Sequence, residues 1–416
     1  VILAPTVADR ISAAPIPLML RIVLTTAAAF LVPATILGTI TPIVVKLSLH
    51  SLANAGATVG RIYAVSAAGS IAGTFITGFL LIDLFGSRTT VWLVGVILLA
   101  CGLLVGSWRG AQAGRPIAAL SVVLFLLVSP VLVATKALPG PCQEETSYFC
   151  IRVETVTTLD GRTARGLVLD RLMHSALVDG DPTAFGYDYE RVYRAFTEEQ
   201  LSRDPALRLL VIGAGGYSFP RYMVAQHPQA TVEALEIDPG VVRFNQEKLD
   251  LPLDSPIITH VGDARLFLNG AEGAPPRGAY KVVQGDAFND VSVPYHLTTR
   301  EFNTLVRASM TPDGVYLVNM IDSGYEGRFA QAYVNTLRAV FAHVAVYALD
   351  GQVGRPGHAT FVIAASDAPL SLPTVGGWTV FEPEALAARF ASRTDLILTD
   401  DYTPVDTLLR AALDER

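Results

Sequence analysis

Residues 211–238 read VIGAGGYSFPRYMVAQHPQATVEALEID, and the fold of the second half of the chain turns on this stretch. With LRLL just before it, it spells a buried parallel strand, a glycine turn that opens a helix, and a second strand, which is the βαβ unit of an open α/β sheet. Gly213, Gly215 and Gly216 let the backbone turn tightly and approach a ligand. Glu236 ends the second strand, placed to accept hydrogen bonds from ribose hydroxyls. Ser218 stands where a dinucleotide fingerprint has its third glycine, which argues against NAD.

Two further strands end on acids beside the same crevice. IITHVGDARLFL places Asp263 after the third strand, and YKVVQGDAFND places Asp286 after the fourth. Three carboxylates at successive strand ends suit a ribose, an exocyclic amine and a cation, and would repel a pyrophosphate. S-Adenosylmethionine has that make-up: an adenosine and a sulfonium, with no phosphate. GYSFP around Ser218 ends on Pro220 where a nucleophile elbow needs glycine, so hydrolase chemistry is not indicated.

The N-terminal part reads as membrane. The chain has 416 residues, 51% hydrophobic and 17% charged, with a mean hydropathy of +0.42. Charge-free runs cover 22–45, 62–82, 89–108 and 116–135, each long enough to cross about 30 Å of hydrocarbon as a helix. None contains an acid or base, so neither a proton relay nor an ion path is expected. Gly69 and Gly73 share one helical face and suit close helix packing. Pro33 and Pro42 interrupt the first span. The chain starts at Val1, which leaves room for further spans upstream.

Residues 1–137 are thus expected to form a transmembrane helical domain, 138–180 a small β subdomain with a hairpin at Asp160-Gly161, and 181–416 the α/β domain. The net charge of −7 leaves no basic footprint for nucleic acid. Seven scattered His and three Cys without a CxxC offer no metal site. Cys142 and Cys150 are spaced for a disulfide or stand as two thiols. Lys and Arg counts on the two sides of the four spans tie, so orientation rests on ligand supply. A cytoplasmic ligand puts the soluble domain in the cytoplasm and the thiols in the reduced state.

GAGGYSFPRY, ALEIDPGVV, GDARLFL and GDAFNDVSVPYHLTTREF resemble the spermidine/spermine synthase (aminopropyltransferase) family. LVLDRLMHSALVDGDPTAFGYDYERVY and LTDDYTPVDTLL resemble its membrane-fused members. The resemblance implies a Rossmann-like, methyltransferase-type fold behind a small β domain, a dimer, and decarboxylated or intact S-adenosylmethionine as substrate, with no metal. Gly213, Gly215 and Gly216 would line the ligand, Glu236 hold its ribose, Asp263 reach the adenine amine, and Asp286 be the catalytic aspartate that orients or deprotonates the attacking nucleophile. His174, Asp188, Tyr189, Glu190, Asp290 and Tyr295 would face the acceptor. Three departures touch that acceptor pocket: DAFNDVSVP makes Asp290 an approximate second acid, Asp188-Tyr189-Glu190 replaces Tyr-His-Glu, and His174 replaces a glutamine.

The expected chemistry is displacement at a carbon of the sulfonium, releasing methylthioadenosine while an aminopropyl-type group passes to an amine. Alternatives are closure of S-adenosylmethionine on its own carboxylate to a lactone, methyl transfer, and a non-catalytic sensor coupled to the helices. The expected partners are a small molecule and the lipid bilayer of the cell membrane.

Overall fold

The computed structural model describes residues 16–49, 54–108, 142–158, 161–270, 277–287 and 293–414, besides positions 11, 51, 123 and 127. Two compact units result, residues 1–148 and 149–416.

In the first, the long apolar runs are helices: α1 (Leu18–Ser48), α2 (Ala55–Ile76), and, after a π-helical turn at Thr77–Leu81, α3 (Ile82–Trp108). By length and composition, Met19–Ser48 and Ala55–Ser87 suffice to cross a bilayer, and Thr89–Leu104 is a shorter apolar helix. The most apolar windows of the two long helices are not buried inside the chain, unlike a core helix of a soluble domain. Helical structure continues from α2 through the π-helical turn into α3, past Asp83, and the chain bends at Gly86 (φ 72°), a backbone conformation open to glycine. The expected span at 116–135 lies outside the described residues except for positions 123 and 127. A two-residue strand, β1 (Glu144–Glu145), follows.

Cys142 and Cys150 are disulfide-bonded, which corrects the expectation of reduced thiols. Between them, Tyr148 N donates to Thr146 Oγ1 at 3.1 Å. The only support for the reduced state was the assumed compartment.

The second unit opens with an antiparallel sheet of β2 (Cys150–Thr157), β3 (Thr163–Leu169) and β4 (Leu172–Leu177), in register Ile151↔Leu169 to Thr157↔Thr163. Gly161 (φ 82°) takes the left-handed turn position between β2 and β3; Asp160 lies outside the described residues. Helix α4 (Tyr189–Arg203) buries Val192, Tyr193, Phe196, Thr197, Gln200 and Leu201, a stripe at three- and four-residue spacing that packs on the main sheet.

That sheet comprises β5 (Arg208–Ile212), β6 (Thr231–Glu236), β7 (Ile258–Val261), β8 (Tyr280–Gly285), β9 (Met310–Ser323), β10 (His343–Leu349), β11 (His358–Ser366) and β12 (Trp378–Phe381). Helices α5 (Ser218–Gln226), α6 (Pro239–Lys248), α7 (Ala264–Leu268), α8 (Arg300–Ser309) and α9 (Arg328–Arg338) alternate with the strands. The strand order is β12-β10-β11-β9-β8-β5-β6-β7. The pairs from β7 to β9 are parallel and those from β9 to β12 antiparallel. This is the Rossmann-like, methyltransferase-type arrangement.

Alternation along β5 explains its two-sided burial: Leu210 and Ile212 enter one apolar cluster with Val283 and Phe302, while Leu209 and Val211 enter the other with Tyr193 and Phe219. From β5 the chain goes first to β6 and β7 on one side, then to β8 and β9 on the other. The carboxyl ends of β5 and β8 therefore flank the topological switch point, where open α/β sheets bind ligands.

Candidate functional site

Gly213 follows β5 and Asp286 follows β8, and the two backbones touch. A Cβ on Gly213 (φ 92°) would lie 2.5 Å from the Asp286 carbonyl oxygen, so only glycine lets the turn press against the strand carrying Asp286. Asp286 N donates to Ile212 O at 2.8 Å, which locks the two strand ends together. Gly216 is equally constrained: a Cβ there would meet Ser175 Oγ and Cβ. Gly215 has only ordinary contact with His174, but its φ of 50° is left-handed. After this turn Tyr217 (φ 61°) leads into α5, whose Pro220 sits in the first turn, where a missing N–H costs nothing.

Around Asp286 is a cavity of about 330 Å³ lined by His174, Tyr187, Tyr189, Glu190, Tyr193, Gln284 and Asn319 among others. Tyr189 Oη donates to Asp286 Oδ2 at 2.7 Å and Asn319 Nδ2 donates to Oδ1 at 3.2 Å. A carboxylate accepts about four hydrogen bonds, so capacity remains for a ligand proton. Desolvation raises the Asp286 pKa, and the Tyr189 and Asn319 bonds oppose the rise. Glu190, only 4% exposed, reaches back to accept from Tyr187 N at 3.2 Å, just ahead of the helix start. Burial first, and the Asp286 charge in addition, push its pKa up to about 8. Among the described residues, no Lys or Arg lines this cavity. Two acids held in a poorly hydrated space without a cation form a site for a positively charged guest.

A second cavity, about 130 Å³, adjoins the first through Asp286, Gly213, Gly215 and His174, and is lined by Phe149, Leu169, Leu235, Glu236, Asp263, Pro294, His296 and Leu297 among others. It too lacks Lys and Arg among the described residues, and it mixes flat apolar walls with acids at two strand ends. Glu236 accepts from Ala214 N and Gly215 N, each at 3.2 Å, and from Asp238 N at 3.1 Å. It therefore ties the glycine turn to β6 and retains capacity for a further donor. Burial lifts its pKa to about 7 against these bonds. Asp263 Oδ1 caps α7 through Leu266 N at 2.9 Å, and Oδ2 meets His296 Nε2 at 2.9 Å.

The structure thus brings Gly213, Gly215, Gly216, His174, Tyr189, Glu190, Glu236, Asp263 and Asp286 to the walls of two joined cavities. Asp188 and Tyr295 stand apart. Asp188 lines a neighbouring cavity and lies 3.5 Å from Arg191 across one helical turn. Tyr295 is 63% exposed, because the short 3₁₀ turn Tyr295–Leu297 directs the next residue, His296, inward instead. Asp290 lies outside the described residues. Sequence reasoning missed Asn319, Gln284 and His296. The available signal for Gln284 was a polar residue within the apolar run YKVVQG, two positions from Asp286 and hence on the same face of the strand.

No family model matches the chain. Among curated proteins, the chain is 28% identical over 234 residues to a probable polyamine aminopropyl transferase of Bifidobacterium longum, covering 51% of each. It is 27% identical over 356 residues to polyamine aminopropyltransferase 2 of Streptomyces coelicolor, covering 81% of this chain and 61% of that protein. To the human eEF1A lysine and N-terminal methyltransferase it is 26% identical over 156 residues, 35% of this chain and 22% of that protein. The matched region spans about half the length of the aminopropyltransferases and less of the methyltransferase.

Proposed function

The chain is a relative of the spermidine synthase (aminopropyltransferase) family, and from that premise we propose that it displaces methylthioadenosine from an S-adenosyl sulfonium donor, passing the aminopropyl-type group to an amine. The observation that carries this reading is the joined pair of cavities, acid-lined and free of Lys and Arg among the described residues, with Asp286 at their junction.

The smaller cavity takes the adenosine of intact or decarboxylated S-adenosylmethionine. The adenine lies between apolar walls such as Phe149 and Leu297, the ribose hydroxyls donate to Glu236, and the exocyclic amine faces Asp263. The sulfonium and the acceptor then meet beside Asp286. An alkylammonium arriving there gives a proton to the Asp286 carboxylate, whose basicity burial has raised. The freed nitrogen lone pair attacks the methylene next to sulfur as the carbon–sulfur bond breaks, and the bonding pair leaves on sulfur as a neutral thioether. Alignment and a deprotonated nucleophile are most of what the protein has to supply, because the sulfonium is already a good leaving group. Tyr189 and Asn319 hold the Asp286 carboxyl in place, and a cationic guest beside Glu190 favours the ionised form of that buried acid. The two long apolar N-terminal helices support a membrane location for this chemistry.

A second reading, closure of the donor's own carboxylate to a lactone, draws support from Asp188 and Tyr295, which leave the amine side with fewer polar contacts than the resemblance implies. The test is to incubate the purified full chain with either donor, with and without diamines, and quantify methylthioadenosine and S-adenosylhomocysteine. Methylthioadenosine that depends on added amine is the expected result. Its release without amine selects lactone formation. S-Adenosylhomocysteine, or neither product, overturns the displacement reading.

A further inference from the structure

Gln284 is fully buried and lines the larger cavity, yet neither its amide nitrogen nor its amide oxygen has a hydrogen-bond partner. Its strand neighbours are Val211 on β5 and Leu317 on β9, both members of the apolar cluster that includes Tyr193 and Phe219. The nearest polar side chains on that face, Asp286 and Asn319, are bonded to each other rather than to Gln284, and buried amides are almost always paired. Being two residues from Asp286 on one strand, Gln284 shares its face and lies roughly 6–7 Å farther along.

Resting on the transfer reading above, we propose that Gln284 reads the far end of the acceptor, and that the acceptor is an amino alcohol or amino amide rather than a simple diamine. An amide offers one donor face and one acceptor face at once. A hydroxyl or a carboxamide satisfies both, whereas an ammonium has only donors and leaves the Gln284 Nε2 protons unpaired. The acceptor's amine sits at Asp286, its methylenes run past Tyr193 and Phe219, and its neutral polar end meets Gln284. About five single bonds cover that span, which sets the length of the probe molecules.

The test compares 4-aminobutan-1-ol, butylamine and 1,4-diaminobutane, by calorimetric titration of the full chain and by methylthioadenosine release. The wild type should bind the amino alcohol at least tenfold tighter than butylamine, with the same order in kcat/KM. Gln284→Leu should lose that preference while still binding butylamine, which shows it folded. Gln284→Glu should shift the preference to the diamine, a gain no misfolded protein can show. Equal wild-type affinity for the amino alcohol and butylamine, or a preference that survives Gln284→Leu, overturns the proposal. The expected binding order without methylthioadenosine in any mixture upholds the role of Gln284 and refutes the transfer reading alone.

Discussion

Replacing Glu190 with glutamine should stabilise the ligand-free protein at high pH and leave it unchanged at low pH. Burial raises the pKa of this side chain from 4.5 to about 8 in the folded chain. The folded state therefore holds its proton more tightly than the unfolded state does. The corresponding stability is fully present below about 4.5 and is lost as the pH climbs through 8. From 4.5 to about 8, at about 1.4 kcal/mol per tenfold, the loss is on the order of 5 kcal/mol. Glutamine keeps the shape and the oxygen that accepts from Tyr187 N but never ionises. For a unit of this size that energy corresponds to a melting-temperature difference of about 10 °C. Glu236, lifted to about 7 by burial, weakens both proteins over the same range, so the difference between them isolates Glu190. The assay is thermal unfolding of the ligand-free chain between pH 5 and 9. Parallel wild-type and variant curves would refute the idea of an acid buried without a cation.

Other expectations follow from particular contacts. Gly213→Ala should destabilise the domain by at least about 2 kcal/mol, since its Cβ would push on backbone, whereas Gly215→Ala should cost about 1 kcal/mol; equal melting temperatures would contradict the close approach of Gly213 to Asp286. Asp263→Ala should lower stability by about 1 kcal/mol through the lost α7 cap, while Asp263→Asn keeps the cap and loses affinity for methylthioadenosine, as calorimetry would show. Maleimide added to the chain unfolded without reductant should label one of the three cysteines, Cys101, and all three after reduction; three labels beforehand would mean Cys142 and Cys150 are unpaired.

Four of the five parallel strands, β5 to β8, and the acids that end three of them were legible in the sequence because the physics there is local. An apolar run of strand length ending in Gly or Asp has few other uses, and the glycines at 213 and 215 mark left-handed backbone. Helix α4 was legible at its start for the same kind of reason. Partnerships across the sheet were not. Asn319 reads as one polar residue in GVYLVNMID, and only the β8–β9 register, with Gly285 opposite Val318, brings its side chain to Asp286. The inward turn of His296 rather than Tyr295 depends on a single 3₁₀ turn, a shift of one residue that a motif comparison does not resolve. The cysteine pairing was hidden because sequence spacing permits a disulfide without requiring one.

The most direct test of the account is methylthioadenosine release by Asp286→Asn beside the wild type, with affinity for methylthioadenosine measured on both. Losing a positioned base should lower kcat by about 10²–10⁴-fold, while affinity stays within about threefold because Asn still fits between Tyr189 and Asn319. A variant that turns over at the wild-type rate would contradict the central role given to Asp286.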